Sequence, residues 1–77
     1  MQRPLTGVLG MARYFFHVSN GDTFKDEVGN QFPDLKGAMA NAQVIAKVLA
    51  EDDDWEGYAV VVIDEHGTEI GRVLVAG

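Results

Sequence analysis

The sequence predicts an α+β domain of order β-β-α-β-β, one antiparallel sheet with a single helix packed across one face as a two-layer sandwich. Three observations predict it. Ala12 to Val18 is rich in aromatic and β-branched residues and runs into an Asn20-Gly21 turn. Leu35 to Leu49 repeats apolar residues at three- and four-residue spacing. The last third, "YAVVVIDEHGTEIGRVLVA", holds two β-branched runs around a turn containing Gly67. Hairpins at both ends and short connections leave one economical arrangement, a single antiparallel sheet with the helix across one face.

Each element has a local cause. Period-two alternation in the first strand sends Tyr14, Phe16 and Val18 to the core face and Arg13, Phe15 and His17 to the other. Ser19-Asn20-Gly21-Asp22 follows; Asn-Gly supplies the positive φ angles of a tight type I′ turn, and a short strand returns over about Thr23 to Asp26. Glu27 to Asn30 is a second turn with Gly29 its left-handed residue, leading to an extended Gln31-Phe32 before Pro33.

Asp34 stands at the helix N-cap, its carboxylate placed to accept from the free amides of the first turn. Leu35, Ala38, Met39, Ala42, Ile45, Ala46 and Leu49 form the predicted core stripe of that helix. Glu51-Asp52-Asp53-Asp54 then places negative charge at the negative end of the helix dipole, so fraying is expected. Four consecutive acids do not converge on one point, and the alternating ligands of an EF-hand are absent. In the closing hairpin Asp64-Glu65-His66-Gly67 is the turn, with Gly67 left-handed.

Length and charge narrow the function. A chain of 77 residues holds one small core, which without staples supplies only roughly 3–5 kcal/mol, so a partner subunit would help. Twelve acids against six bases give a net charge of -6, a field that repels phosphate polymers, and the bases are scattered; no nucleic acid is expected, and any charged partner should be basic. The absence of cysteine removes disulfides and thiolate chemistry and leaves a cytoplasmic location as the expectation. The longest apolar run, Ala59 to Ile63, is far short of the ~20 residues that span a bilayer, so no membrane partner is expected. Residues 1–11 read as a flexible leader or extension, with Met11 the natural beginning of the folded unit, and residues 12–77 as one domain.

Little points to catalysis. His17 and Arg13 read as solvated cross-strand partners of acids such as Asp22 or Asp26, with no nucleophile identifiable beside His17. His66 reads as an exposed turn residue. No His-x-x-x-His pair, phosphate-binding loop or nucleophile elbow occurs. The expectation is therefore no enzyme, no cofactor and no metal, with a small-ligand or hydrolytic pocket around Arg13 and His17 as a third hypothesis.

Apolar residues left over after the core is filled point instead to protein contacts. Val44 and Val48 lie with Gly37 and Asn41 well off the core stripe of the helix. In the terminal hairpin, Val60, Val62, Val73 and Val75 face inward only if Ala59, Val61, Ile63, Ile70 and Leu74 face largely outward. Phe15, His17, Val44, Val48, Val61, Ile63, Ile70 and Leu74 are thus the candidate interface. The expected partner is a second copy of the chain, a dimer before any higher oligomer, or another protein.

"RYFFHV", Asn20-Gly21, Asp26-Glu27-x-Gly29, Pro33-Asp34-Leu35 and a "V-x-D-E-x-G" hairpin resemble a family of short bacterial domains of unknown function that open with an Arg-Tyr-Phe-Phe-His-Val strand. The resemblance covers Met11 to Val75, implies no catalytic residue, and departs from the family's usual pattern at Gly37 and Gly71, where larger residues are expected. "FPDLKGAMANAQVIAKVLAE" is also similar to the helix segment of HicB-type antitoxins, which implies a regulatory binder of a small basic protein, although the longer meander and the DNA-binding appendage of that family are missing.

Overall fold

A computed structural model of the chain describes residues 10–75. The part of the expected leader before Gly10 lies outside the described residues. The elements are β1 (Ala12–Asn20), β2 (Asp22–Phe24), β3 (Asn30–Phe32), α1 (Leu35–Leu49), β4 (Ala59–Ile63) and β5 (Glu69–Leu74). The fold is α+β, an antiparallel sheet of order β2-β1-β4-β5 with β3 also on β1 and one helix packed against it. The extended Gln31-Phe32 segment is thus a strand in its own right, and the order is β-β-β-α-β-β.

β1 is long enough to serve two short partners. β2 pairs with Val18–Asn20 and β3 with Ala12–Tyr14, while β4 pairs along Phe15–Ser19. β2 stops at Phe24, short of the expected Asp26, because Asp26 turns its carboxylate onto the gap between the two short strands. The first hairpin is also tighter than a two-residue turn: Asn20 opposes Asp22, and Gly21 alone sits between them at φ 82°.

Helix α1 begins as expected, with the Asp34 carboxylate accepting from the Gly37 N–H at 2.8 Å. Ala38, Ala42 and Ala46 are its buried face. They meet Tyr14 and Phe16 of β1, Val60 and Val62 of β4, and Val75. Alanine at all three positions lets the helix approach the sheet closely, so the largest fully buried side chains are only Val60 and Val62. Phe32 closes the core at the start of α1, its ring 5.8 Å from that of Phe16 and 6.2 Å from that of Tyr14.

Three parts of the core pattern differ from expectation. Leu35 is exposed and Leu49 only partly buried, since the first and last turns of α1 reach beyond the packed centre. The acidic run takes a defined shape beyond the helix: Ala50 caps α1, and Asp52 starts a single 3₁₀ turn, Asp53–Trp55, by accepting from the Asp54 N–H at 3.0 Å. Ile70, expected outward, packs against the core. A β-bulge sets Val62 opposite Gly71 and Ile63 opposite Glu69, leaving Ile70 as the extra residue that turns inward.

Candidate functional site

The face of the sheet away from α1 carries most of the residues predicted to matter. Register decides which they are: Phe15 opposes Ile63, His17 opposes Val61, and Ser19 opposes Ala59. Across β4, Val61 opposes Arg72 and Ala59 opposes Leu74. Facing partners share a side of the sheet, so these residues form one surface. Within it lies a depression of ≈ 290 Å³ lined by His17, Ser19, Thr23, Val61, Ile63, Glu69 and Arg72. Its floor, Val61, is only 5% exposed because the longer side chains around it lean over it.

The polar rim is held by hydrogen bonds. The Arg72 guanidinium grips Glu69 through two bonds, Nε to Oε2 at 3.1 Å and Nη2 to Oε1 at 3.2 Å. That pair holds the Glu69 carboxyl below its usual range and raises Arg72 further. In an unbroken strand residues 69 and 72 would point to opposite faces; the bulge at Ile70 puts both on this one. The Ser19 and Thr23 hydroxyls are 3.3 Å apart across the first hairpin.

His17 is fixed by the neighbouring loop. Its Nδ1 accepts from the Asp26 backbone N–H at 3.1 Å. A nitrogen that accepts carries no proton, so the ring hydrogen is on Nε2. The Asp26 carboxylate in turn accepts from three backbone amides, Phe16 N–H at 3.1 Å on Oδ2, and Val28 at 3.1 Å and Gly29 at 2.9 Å on Oδ1. Burial alone would raise the carboxyl pKa. The Gly29, Phe16 and Val28 donors outweigh it, and the net shift is downward.

The expected partnership of Arg13 and His17 with acids is therefore corrected. His17 does meet Asp26, but through its main chain, and Arg13 donates from Nη1 to the Val28 carbonyl at 2.8 Å. Arg13 does not line the depression with His17. Sequence reading found no nucleophile near His17; the register brings the Ser19 and Thr23 hydroxyls to the same depression. The loop that holds His17 had a readable signal, Asp26-x-x-Gly29, in which a carboxylate caps the amides of its own turn.

The remaining candidates lie at the edge of this face and on the outside of α1. Leu74, at the open side of β5, is 70% exposed and borders a groove of ≈ 340 Å³ with Val73, Ala46 and Ala50. Val44 and Val48 stand on the solvent side of α1, 60% and 59% exposed, away from the sheet. His66 is exposed at the tip of the β4–β5 turn, where the Asp64 carboxylate accepts from the His66 and Thr68 amides, both at 2.9 Å. Those donors hold the Asp64 carboxyl below its ordinary value. Among the described residues, no three His, Cys, Asp or Glu side chains gather as metal ligands would. Among the same residues no helix is long and apolar enough to cross a membrane.

Neither a curated protein nor a solved structure matches the chain. A family model described as "Domain of unknown function (DUF6894)" matches residues 13–76, and the chain belongs to that family.

Proposed function

We propose that this member of the DUF6894 family is a non-catalytic protein-interaction domain that pairs with a second copy of itself through the face of the sheet opposite α1. The observation that carries the reading is the makeup of that face. Ala59, Val61 and Ile63 of β4 form an apolar spine down the middle of it, with His17 and Ser19 of β1 on one side and Glu69 and Arg72 of β5 on the other; Phe15, beside Gly29, and Leu74 add apolar surface at opposite corners. An apolar centre inside a polar rim is the anatomy of a protein interface.

A second copy fits better than an unrelated partner because the patch is self-complementary. Around the depression it carries one cation and one anion, Arg72 and Glu69, joined to each other. A two-fold axis would set each pair against its own reverse. The densest negative charge, Glu51 to Asp54, lies in the connection leaving α1 rather than on this face. Four strands span roughly 19 Å, toward the small end of what a stable dimer covers, so micromolar affinity is expected.

The non-catalytic part rests on His17. Its Nδ1 is occupied by the Asp26 amide, and Nε2 carries the hydrogen, so the ring has no free acceptor to take a proton from Ser19 or Thr23.

Sedimentation velocity from low-micromolar to several hundred micromolar concentration tests the proposal. A dimer should accumulate with concentration, and Leu74→Lys should return it to monomer with an unchanged far-ultraviolet spectrum. A monomer throughout would overturn it. So would a dimer broken by Val44→Lys and untouched by Leu74→Lys, because the helix would then be the interface.

A further inference from the structure

We infer that Phe24, Trp55 and Tyr58, at the corner of the sheet beyond the end of α1, form a docking surface for a lysine- or arginine-bearing segment of a partner protein. The surface is distinct from the dimer face and does not depend on it. α1 packs chiefly on β4 and β5, and all three residues of β2 stay exposed. Over that corner the second layer is supplied by Trp55, from the 3₁₀ turn, and by Tyr58, just before β4. Both are partly buried against the core.

Phe24 opposes Val18, on the core side of β1, and so points to the same layer. Its ring packs edge-on against Trp55 at 5.5 Å and beside Tyr58 at 6.2 Å, and Trp55 meets Tyr58 at 5.1 Å. Yet Phe24 stays 53% exposed. The trio is an aromatic platform open to solvent on one side.

Charge complementarity selects the occupant. Trp55 is flanked by Asp53, Asp54 and Glu56, all exposed, and Asp22 lies two residues before Phe24 on the same side of β2. Among the described residues the ion pair formed is Arg72–Glu69, and none of these acids is in one. A guanidinium or ammonium group gains from the negative faces of the rings and from the carboxylates together, while its methylene stem covers the exposed edge of Phe24. A second copy is disfavoured here, since acid would meet acid, and so is a phosphate polymer.

Trp55 is the single tryptophan of the chain and reports directly on the platform. The full chain is titrated at low salt with an end-blocked peptide of alternating arginine and glycine, followed by Trp55 emission. A saturable change is expected, weakening as salt is raised. Phe24→Ala should weaken it about three- to tenfold. A triple variant, Asp53→Asn with Asp54→Asn and Glu56→Gln, should weaken it similarly and flatten its salt dependence.

Phe24→Leu, which keeps apolar bulk without a ring face, serves where Phe24→Ala fails to fold, and it too should bind several-fold more weakly. No saturable change, or equal affinity in the Phe24 or acid variants, would overturn the inference. Equal binding of a glutamate–glycine peptide would overturn it as well. An emission change that follows protein concentration alone would make the occupant a second copy, against the proposal.

Discussion

Asp26→Asn tests how one side chain lets β1 serve two strands. The carboxylate uses both oxygens: Oδ2 accepts from the Phe16 amide, and Oδ1 from Val28 and Gly29. An amide side chain has only one acceptor. If its oxygen keeps the two bonds in the turn, its NH₂ faces the Phe16 N–H, donor against donor. Losing that bond and leaving a partly buried amide without an acceptor should cost about 1–3 kcal/mol, the lower half being favoured by the site's partial exposure to water. In a chain whose single core supplies roughly 3–5 kcal/mol, that is a large share.

Urea denaturation followed by Trp55 emission measures the loss, and hydrogen exchange at Phe16 locates it. The dependence on pH supplies an independent check. The folded Asp26 pKa lies below its ordinary value of 3.8, so the native state favours the ionised form. Its stabilisation is fully present above the unfolded pKa and is lost as pH falls through the lowered folded value. The gap between parent and Asp26→Asn should therefore be widest near neutrality and narrow below about pH 4. A stability change under about 0.5 kcal/mol with unaltered Phe16 exchange, or a gap that stays constant into acid, would refute the role assigned to Asp26.

Three glycines give contrasting outcomes under the same denaturation assay. Gly29→Ala should destabilise by about 2–4 kcal/mol, because Gly29 sits at φ +73° and an added Cβ would lie 2.7 Å from the Tyr14 carbonyl oxygen, a backbone atom that cannot yield. Gly37→Ala should stabilise by about 0.5–1 kcal/mol, since its Cβ would find ordinary contacts at 3.5 Å from Asp34 Oδ1 and Phe32 Cδ1 inside a helix. Gly71→Ala should change stability by less than about 1 kcal/mol, because the Met39 sulfur that fills the space its Cβ would take is the end of a flexible chain that can move aside. Combining it with Met39→Ala should cost less than the two single changes together, and strict additivity would contradict the contact.

What was legible in the sequence is local. Asp34 at the head of α1, Gly67 in the β4–β5 turn and the two faces of β1 each depend on a few adjacent residues, and each stands where periodicity and cap chemistry put it. β3 is three residues long and exists only because β1 offers it Ala12–Tyr14, a pairing that no local pattern announces. The bulge in β5 was signalled only by Gly71 in mid-strand, and reading through it sent Ile70 to the wrong face. For the site, period two placed His17 outward, but its company of Thr23, Glu69 and Arg72 comes from strand register and the bulge. The platform went unread because Trp55 follows an acidic run that predicts only a frayed end, while Phe24 lies in a strand of three residues.

The alanine face of α1 links the fold to both proposals. Small residues bring helix and sheet together, and the space between them holds valines and little that is larger. Strand propensity still requires β-branched and aromatic residues on the far side of β1, β4 and β5, and one helix cannot shelter both faces. Leu74 is the most exposed of the outward group and gains most from a partner; fully covering a leucine is worth about 1.5–3 kcal/mol. Two copies of that gain do not offset the roughly 4–15 kcal/mol cost of association. A dimer built on this face must therefore also dry the half-buried Phe15 and Ile63, which lie directly opposite each other. Leu74→Lys consequently acts in two ways, removing apolar contact at the margin and bringing a charge beside the floor that the second copy has to cover.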